Sequence, residues 1–235
     1  MLDSAALRAR LADVRDRIAR AASRAGRDPA AIRLIAVSKT FSPDHIRAAA
    51  DTGQVDFGEN KIQEALAKMD ALADLPLRWH MIGHLQSNKA RRAAGFYAIH
   101  GVDGMDVLDR VDQAAVAAGR HPRILIQVDL AQEATKFGAP PETAAAIVRA
   151  AAGRSGAVLA GLMTLPPEVD DPGAARPYFI RLRALRDELV RQGLPAAQVA
   201  ELSMGMSHDF EVAVEEGATL VRVGSAIFGE RTYGV

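Results

Sequence analysis

Two rhythms of apolar residues alternate along this chain of 235 residues. The first is helical. Between Ser4 and Arg24, the residues Leu7, Leu11, Val14, Ile18 and Ala22 recur at spacings of three and four, which lays them on one face of an amphipathic helix. Ser4 is the expected N-cap and Gly26 the expected stop. The second rhythm is a short apolar run bounded by turn residues, the pattern of a buried strand. Strands are predicted at 33–39, 55–57, 78–84, 97–102, 123–130, 158–165, 199–204 and 219–224. Helical stretches fall between them at 43–51, 61–72, 88–94, 107–118, 141–152, 174–191 and 209–216. Several end where a glycine stop belongs, at Gly53, Gly119, Gly153, Gly193 or Gly217.

Strand and helix in strict alternation imply a parallel sheet with crossover helices, an α/β fold. Eight such units in this length suit a closed (β/α)8 barrel better than an open sheet. No interior linker, low-complexity tract or repeat divides the chain, so residues 1–235 read as a single domain with an extra N-terminal helix. The clear irregular loop is Pro166-Pro167-Glu168-Val169-Asp170-Asp171-Pro172, directly after a strand.

Composition narrows the chemistry. Lys and Arg balance Asp and Glu at a formal net charge of +0, so no general affinity for nucleic acid or an anionic membrane is expected. The local basic cluster Lys89, Arg91 and Arg92 reads as a solvated helix face. With no cysteine, disulfides, thiolate chemistry and cysteine-ligated metals are excluded. The N-terminal stretch lacks the continuous apolar core of a signal peptide, and no segment is long enough to span a bilayer. A soluble cytoplasmic protein is the expectation.

In such barrels the site forms at the carboxyl ends of the strands. Read in turn, those ends are Ser38-Lys39, Gly58-Glu59-Asn60, His84, Asp103, Asp129, Met163-Thr164, Ser203-Met204 and Gly224-Ser225. Lys39 stands out. Burial disfavours an ammonium and lowers its pKa, and a partly desolvated lysine can form an imine with a carbonyl compound or with pyridoxal phosphate. A strand-end lysine whose stem packs while its head reaches water is the plainer alternative.

The last two strands lead into Ser203-Met204-Gly205-Met206-Ser207-His208-Asp209 and Gly224-Ser225-Ala226-Ile227-Phe228-Gly229. Glycines that admit close approach, serine hydroxyls and helix-start N–H groups suit a phosphate cradle, and barrels commonly bind phosphate after strands seven and eight. N-capping serines and turn glycines would look the same. Strand alternation points Arg222 into the barrel, where it needs a partner. A pyridine nitrogen would serve, and so would a carboxylate in an interior salt bridge. His80 and His84 are four apart on a strand running into a loop, which does not put them on one face, so no metal site is expected.

The chain resembles the family of pyridoxal phosphate homeostasis proteins. The resemblance is carried by AVSKT at 36–40, FGENKIQE at 57–64, WHMIGHLQSNK at 79–89, Glu133, Lys136 and Gly138 as E-x-x-K-x-G, LMTL at 162–165, SMGMSHDF at 203–210 and VRVGSAIFG at 221–229. It runs from about Ile35 to Gly229, with Asp129 where the family usually has Asn and Ser225 where it usually has Thr. It implies a single TIM barrel like the N-terminal domain of alanine racemase, with pyridoxal 5′-phosphate (PLP) held on Lys39 as an internal aldimine. Ser203, Ser207, Gly224 and Ser225 would hold the phosphate, Arg222 would face the pyridine nitrogen, and Asn60 and Met204 would line the cofactor. The implied role is intracellular PLP buffering or delivery and amino- and keto-acid balance, without an established catalytic reaction. Apo forms of PLP-dependent enzymes would be the recipients.

An arginine at the pyridine nitrogen discourages its protonation and weakens the ring as an electron sink, which agrees with a non-catalytic role. Only residues 226–235 follow the last strand, too few for the second domain of the racemases, and without that domain's dimer interface a monomer is expected. Two other readings share the features. One is a weak PLP-dependent amino-acid racemase using His84, Tyr233 or a partner chain as second proton-transfer group. The other is a cofactor-free Schiff-base aldolase, disfavoured because Lys39 lies on the first strand and Arg222 would lack its ring partner.

Overall fold

The computed structural model describes residues 3–131 and 137–230. Its strands are β1 (Arg33–Val37), β2 (Asp56–Glu59), β3 (Arg78–Met81), β4 (Ala98–Val102), β5 (Arg123–Gln127), β6 (Val158–Met163), β7 (Glu201–Ser203) and β8 (Leu220–Val223). They are parallel, follow chain order, and close where β1 pairs with β8. Helices α1 (Ser4–Arg24), α2 (Pro43–Ala50), α3 (Ile62–Ala71), α4 (Ala90–Ala93), α5 (Met105–Ala118), α6 (Pro141–Ala152), α7 (Arg176–Arg191), α8 (Phe210–Glu215) and α9 (Ser225–Phe228) wrap the outside. This is the expected (β/α)8 barrel, with α1 as the additional helix.

Local chemistry moves several boundaries. The α1 cap is Asp3 and not Ser4; its carboxylate accepts from the amides of Ala5 and Ala6 at 3.1 and 3.0 Å. Strand β7 keeps three residues because 196–199, after Pro195, winds into a 3-10 turn. The predicted tails of β1, β3, β5 and β6 leave the ladder early, and these released ends build the mouth of the barrel.

Alternation along each strand divides the buried residues into two sets. Outward side chains such as Ala36, Phe57, Trp79, Ile99 and Val221 pack under the helices in the main core. Inward, the apolar filling is a small cluster of Ile35, Leu125, Ala160, Met163 and Leu220. Val37 and Ile82 extend it towards the mouth, and much of the remaining interior is polar. At the amino-terminal end Asp56 binds Arg78 at 2.6 Å, and Glu201 binds Arg123 at 3.1 Å.

From that floor a line of side chains climbs through the barrel. Asp56 lies 2.8 Å from His80 Nε2, His80 Nδ1 lies 3.0 Å from His100 Nε2, and His100 Nδ1 lies 2.8 Å from the Ser203 hydroxyl. Arg222 donates to the same hydroxyl. Since Arg222 can only donate and a carboxylate only accepts, the tautomers follow: Arg222 to Ser203, Ser203 to His100, His100 to His80, His80 to Asp56. Both rings are fully buried. Burial lowers the pKa of His80 against the pull of Asp56, and drives that of His100 well down, helped by His80 and Arg222.

These rings refuse protons when folded and accept them near pH 6.5 when unfolded, so acid favours the unfolded chain. The unfolding free energy, measured by urea titration, is expected to fall as pH drops from 7 to 5.5. The slope approaches roughly 1.4 kcal/mol per pH unit for each histidine. A flat profile would show that the rings are charged inside the barrel.

Candidate functional site

Lys39 leaves β1 two residues after Val37 and is half-buried. Its neighbours are held tightly. Thr40 takes a left-handed backbone (φ 73°), uncommon for a side chain branched at Cβ. Its amide donates to Glu64 Oε1 at 2.6 Å, and the same oxygen accepts from Lys68 Nζ at 2.7 Å. Lys68, buried under the turn, also donates to the Ser38 carbonyl and to Glu59 Oε1, both at 2.8 Å. The Ser38 hydroxyl completes the set by donating to Glu59 at 2.6 Å. Burial raises the Glu59 pKa against the hydrogen bonds from Lys68 and Ser38. A second lysine on α3 and two carboxylates thus clamp both residues flanking Lys39. Apolar periodicity does not single out this clamp, although Glu64 and Lys68 have the i, i+4 spacing of a helical ion pair.

Strand register brings the end of the chain to the same place. Ala36 pairs with Val223, so Gly224 lies beside Val37, whose Cβ would be 3.3 Å from any Cβ at position 224. The Ser207 hydroxyl oxygen accepts from the amides of Gly224 at 3.1 Å and Ala226 at 3.4 Å. Ser225 is exposed at the first turn of α9. Gly205 anchors this corner from behind: with φ 91° and an ideal Cβ only 2.6 Å from that of Ala213, it admits no side chain. Ser207, Gly224 and Ser225 are therefore together, beside the β1 end that carries Lys39.

Ser203 and Met204 lie elsewhere. The Ser203 hydroxyl is fully buried between His100 and Arg222. The Met204 side chain is fully buried in the core shared with the helices.

Arg222 points inward beneath the mouth, 3% exposed, and donates to Ser203 and to the Thr164 carbonyl at 3.0 Å. Among the described residues it makes no ion pair, so the interior salt bridge held open in the sequence reading is absent there. Burial pushes the guanidinium down to about 10, opposed by Asp209.

Across the mouth, Asn60 is half-buried and packs on Gly83, where a Cβ would meet the Asn60 carbonyl at 2.4 Å. His84 Nδ1 lies 3.1 Å from Asp103, and the exposed Phe137 ring stacks on it at 3.8 Å and 9°. Gln127 holds the Phe137 carbonyl at 2.7 Å. Phe137 lies outside every periodic segment, so hydrophobic pattern alone could not find it. Asp129 accepts from the Ala131 amide at 3.1 Å. Glu133, Lys136 and Tyr233 lie outside the described residues. Among the described residues no group of His, Cys, Asp or Glu is arranged to hold a metal, and no helix is long and apolar enough to cross a membrane.

The mouth therefore carries Lys39, a corner of hydroxyls and backbone amides and, beneath them, a buried guanidinium that makes no ion pair among the described residues. This donor set matches an aldehyde-bearing heteroaromatic ring with an anionic substituent.

Comparison with known proteins agrees. The family described as alanine racemase, N-terminal domain, matches residues 9–232. A pyridoxal phosphate homeostasis protein of Aquifex aeolicus is 44% identical over 225 residues, covering 95% of this chain and 98% of its own. One of Pseudomonas aeruginosa is also 44% identical over 225 residues, covering 95% of each. The structure of PipY from Synechococcus elongatus PCC7942 with PLP bound is 39% identical, with a TM-score of 0.84 over 95% of this chain and 100% of that one. By these matches the chain belongs to the alanine racemase N-terminal domain family and, within it, to the pyridoxal phosphate homeostasis proteins.

Proposed function

We propose that this protein binds pyridoxal 5′-phosphate at the barrel mouth and acts in intracellular PLP homeostasis, buffering the cofactor and passing it to apo enzymes. The observation that carries it is the convergence of Lys39, the Ser207–Gly224 corner and an Arg222 that makes no ion pair among the described residues on one end of the barrel. The PLP-bound relative supports the same ligand. In this proposal the Lys39 amine condenses with the cofactor aldehyde, forming a C=N bond and releasing one water. Ser207, Gly224 and Ser225 receive the phosphate, and Arg222 faces the ring nitrogen. Asn60 lines the ring. Ser203 acts from below by orienting Arg222, and Met204 shapes the wall from the core. Bound PLP would supply an electrophilic ring able to withdraw electrons from an attached amine.

Storage suits this arrangement better than turnover. A guanidinium at the ring nitrogen keeps a proton off it, which weakens the ring's capacity to stabilise a carbanion. The Lys68 clamp fixes the turn that carries Lys39, holding the amine where it must react without offering a proton-transfer step. We take the protein to be a cytoplasmic monomer whose single domain spans residues 1–235. The His84–Asp103 pair is the feature that favours the racemase alternative, since an oriented imidazole is a competent general base.

Three outcomes are expected. The purified protein with PLP shows a near-visible imine band that is lost in Lys39→Ala; an unchanged band in that variant removes Lys39 from the role. Lys68→Met leaves Glu59 and Glu64 without their shared cation, costing roughly 3 kcal/mol in urea unfolding and weakening PLP binding; wild-type stability and affinity in the variant would refute the clamp. Incubation with alanine or serine in deuterated solvent gives no α-deuteration at a useful rate, whereas steady exchange abolished by His84→Gln would establish the racemase reading.

A further inference from the structure

A second opening lies at the far end of the barrel, beneath the amino-terminal ends of the strands. It is a cleft of about 430 Å³ between α1, the 29–31 turn and the starts of β1, β2 and β3. Three arginines line it, and all are partly open to solvent. Arg15 of α1 donates to neutral acceptors, the Thr52 carbonyl at 3.1 Å and Gln54 at 3.2 Å, and makes no ion pair among the described residues. Arg33 approaches Asp56 and Glu201 at 4.0 and 3.7 Å, beyond hydrogen-bond length. Arg78 binds Asp56 through Nη2, while its Nε is buried without a partner.

The lining carries one carboxylate, Asp56, already committed to Arg78 and His80. Glu201, below Arg33, is shared with Arg123 and Thr219. Positive charge is in excess, and planar guanidinium donors suit carboxylates. The lining also includes the apolar side chains of Ile18 and Ile32. Arg15 at Gln54 is one cationic point and Arg33 with Arg78 at Asp56 is another, a pairing that suits two carboxylates joined by a short methylene spacer.

The cleft also touches the start of the interior donor chain. Asp56 is the acceptor at the bottom of the series that ends at Arg222, and Arg78 shares that acceptor. A ligand drawing Arg78 or Arg33 towards itself changes what Asp56 accepts, and each hydrogen bond above it polarises the next. We propose that this cleft binds a small dicarboxylate and that its occupancy is transmitted along the chain to Arg222. The transmission rests on PLP occupying the mouth; the binding does not.

Titration calorimetry of the purified full-length protein with succinate and with glutarate tests the site. One saturable event is expected, weakened at least tenfold in Arg15→Met. It should vanish in Ala30→Trp, which fills the cleft from an exposed lining position without removing a charge. Lys39→Ala should leave it intact. No saturable binding, indifference to Ala30→Trp, or loss in Lys39→Ala would overturn the site, and equal binding of inorganic phosphate would overturn the dicarboxylate class. For transmission, saturating glutarate should change the PLP dissociation constant at least threefold, and Ser203→Ala should remove that effect; no change in the parent would overturn it. By reciprocity PLP must shift glutarate affinity by the same factor. A failure of PLP to bind at all would leave the succinate titration readable, so the two proposals fail separately.

Discussion

A guanidinium enclosed in a barrel is the constraint around which the interior is arranged. Apolar residues usually fill such barrels in layers. Here Arg222 is buried on β8, and an isolated buried charge is costly unless it is hydrogen-bonded. Among the described residues Arg222 makes no ion pair; it spends its terminal donors on Ser203 and Thr164, and the carboxylate that favours its charge is Asp209. Ser203 must accept from Arg222 and donate to His100, so its one proton is committed. The residues around Arg222 are thus determined by the charge they surround, which explains two fully buried histidines among hydrophobic strands.

A different solution operates behind Lys39. There the cation of Lys68 is satisfied locally by three acceptors, two of them carboxylates that also bind Ser38 and Thr40. Thr40 holds a left-handed backbone in which its amide donates to Glu64. The turn carrying Lys39 is fixed from α3 and β2, whereas the facing Ser207–Gly224 corner is fixed by α8 and β8. Two rigid supports on separate elements meet because β1 closes the sheet on β8, and the separation between amine and anion cradle is set by backbone pairing.

The alternating rhythm made the fold legible, since each predicted strand has its counterpart in the barrel. It overran the carboxyl ends, because residues such as Lys39, His84 and Leu165 keep strand-like composition after the ladder stops. Lys39, Ser207, Gly224 and Ser225 were legible as strand-end residues, and inward alternation marked Arg222. The interior chain was not. His80 and His100 occupy inward positions on the neighbouring strands β3 and β4, and it is the pairing register, which sequence spacing does not give, that brings them to 3.0 Å. Lys68 was hidden for the opposite reason, since on a helix with a periodic apolar face a lysine reads as solvated until α3 is seen folded over the β1 turn.

The distribution of these costs separates support from function. Replacing a buried ion pair by well-packed apolar residues is often neutral or stabilising by about 1–4 kcal/mol, so Lys68 with Glu59 is weak evidence for stability as such. The pair is spent on a turn that presents an amine to an opening. Arg222 gives the stronger case, because a leucine there would join Ile35, Leu125 and Leu220 without burying a charge. A barrel selected for stability alone would have that leucine. Keeping a desolvated guanidinium beneath the mouth is intelligible when something entering the mouth needs a fixed positive donor at that depth.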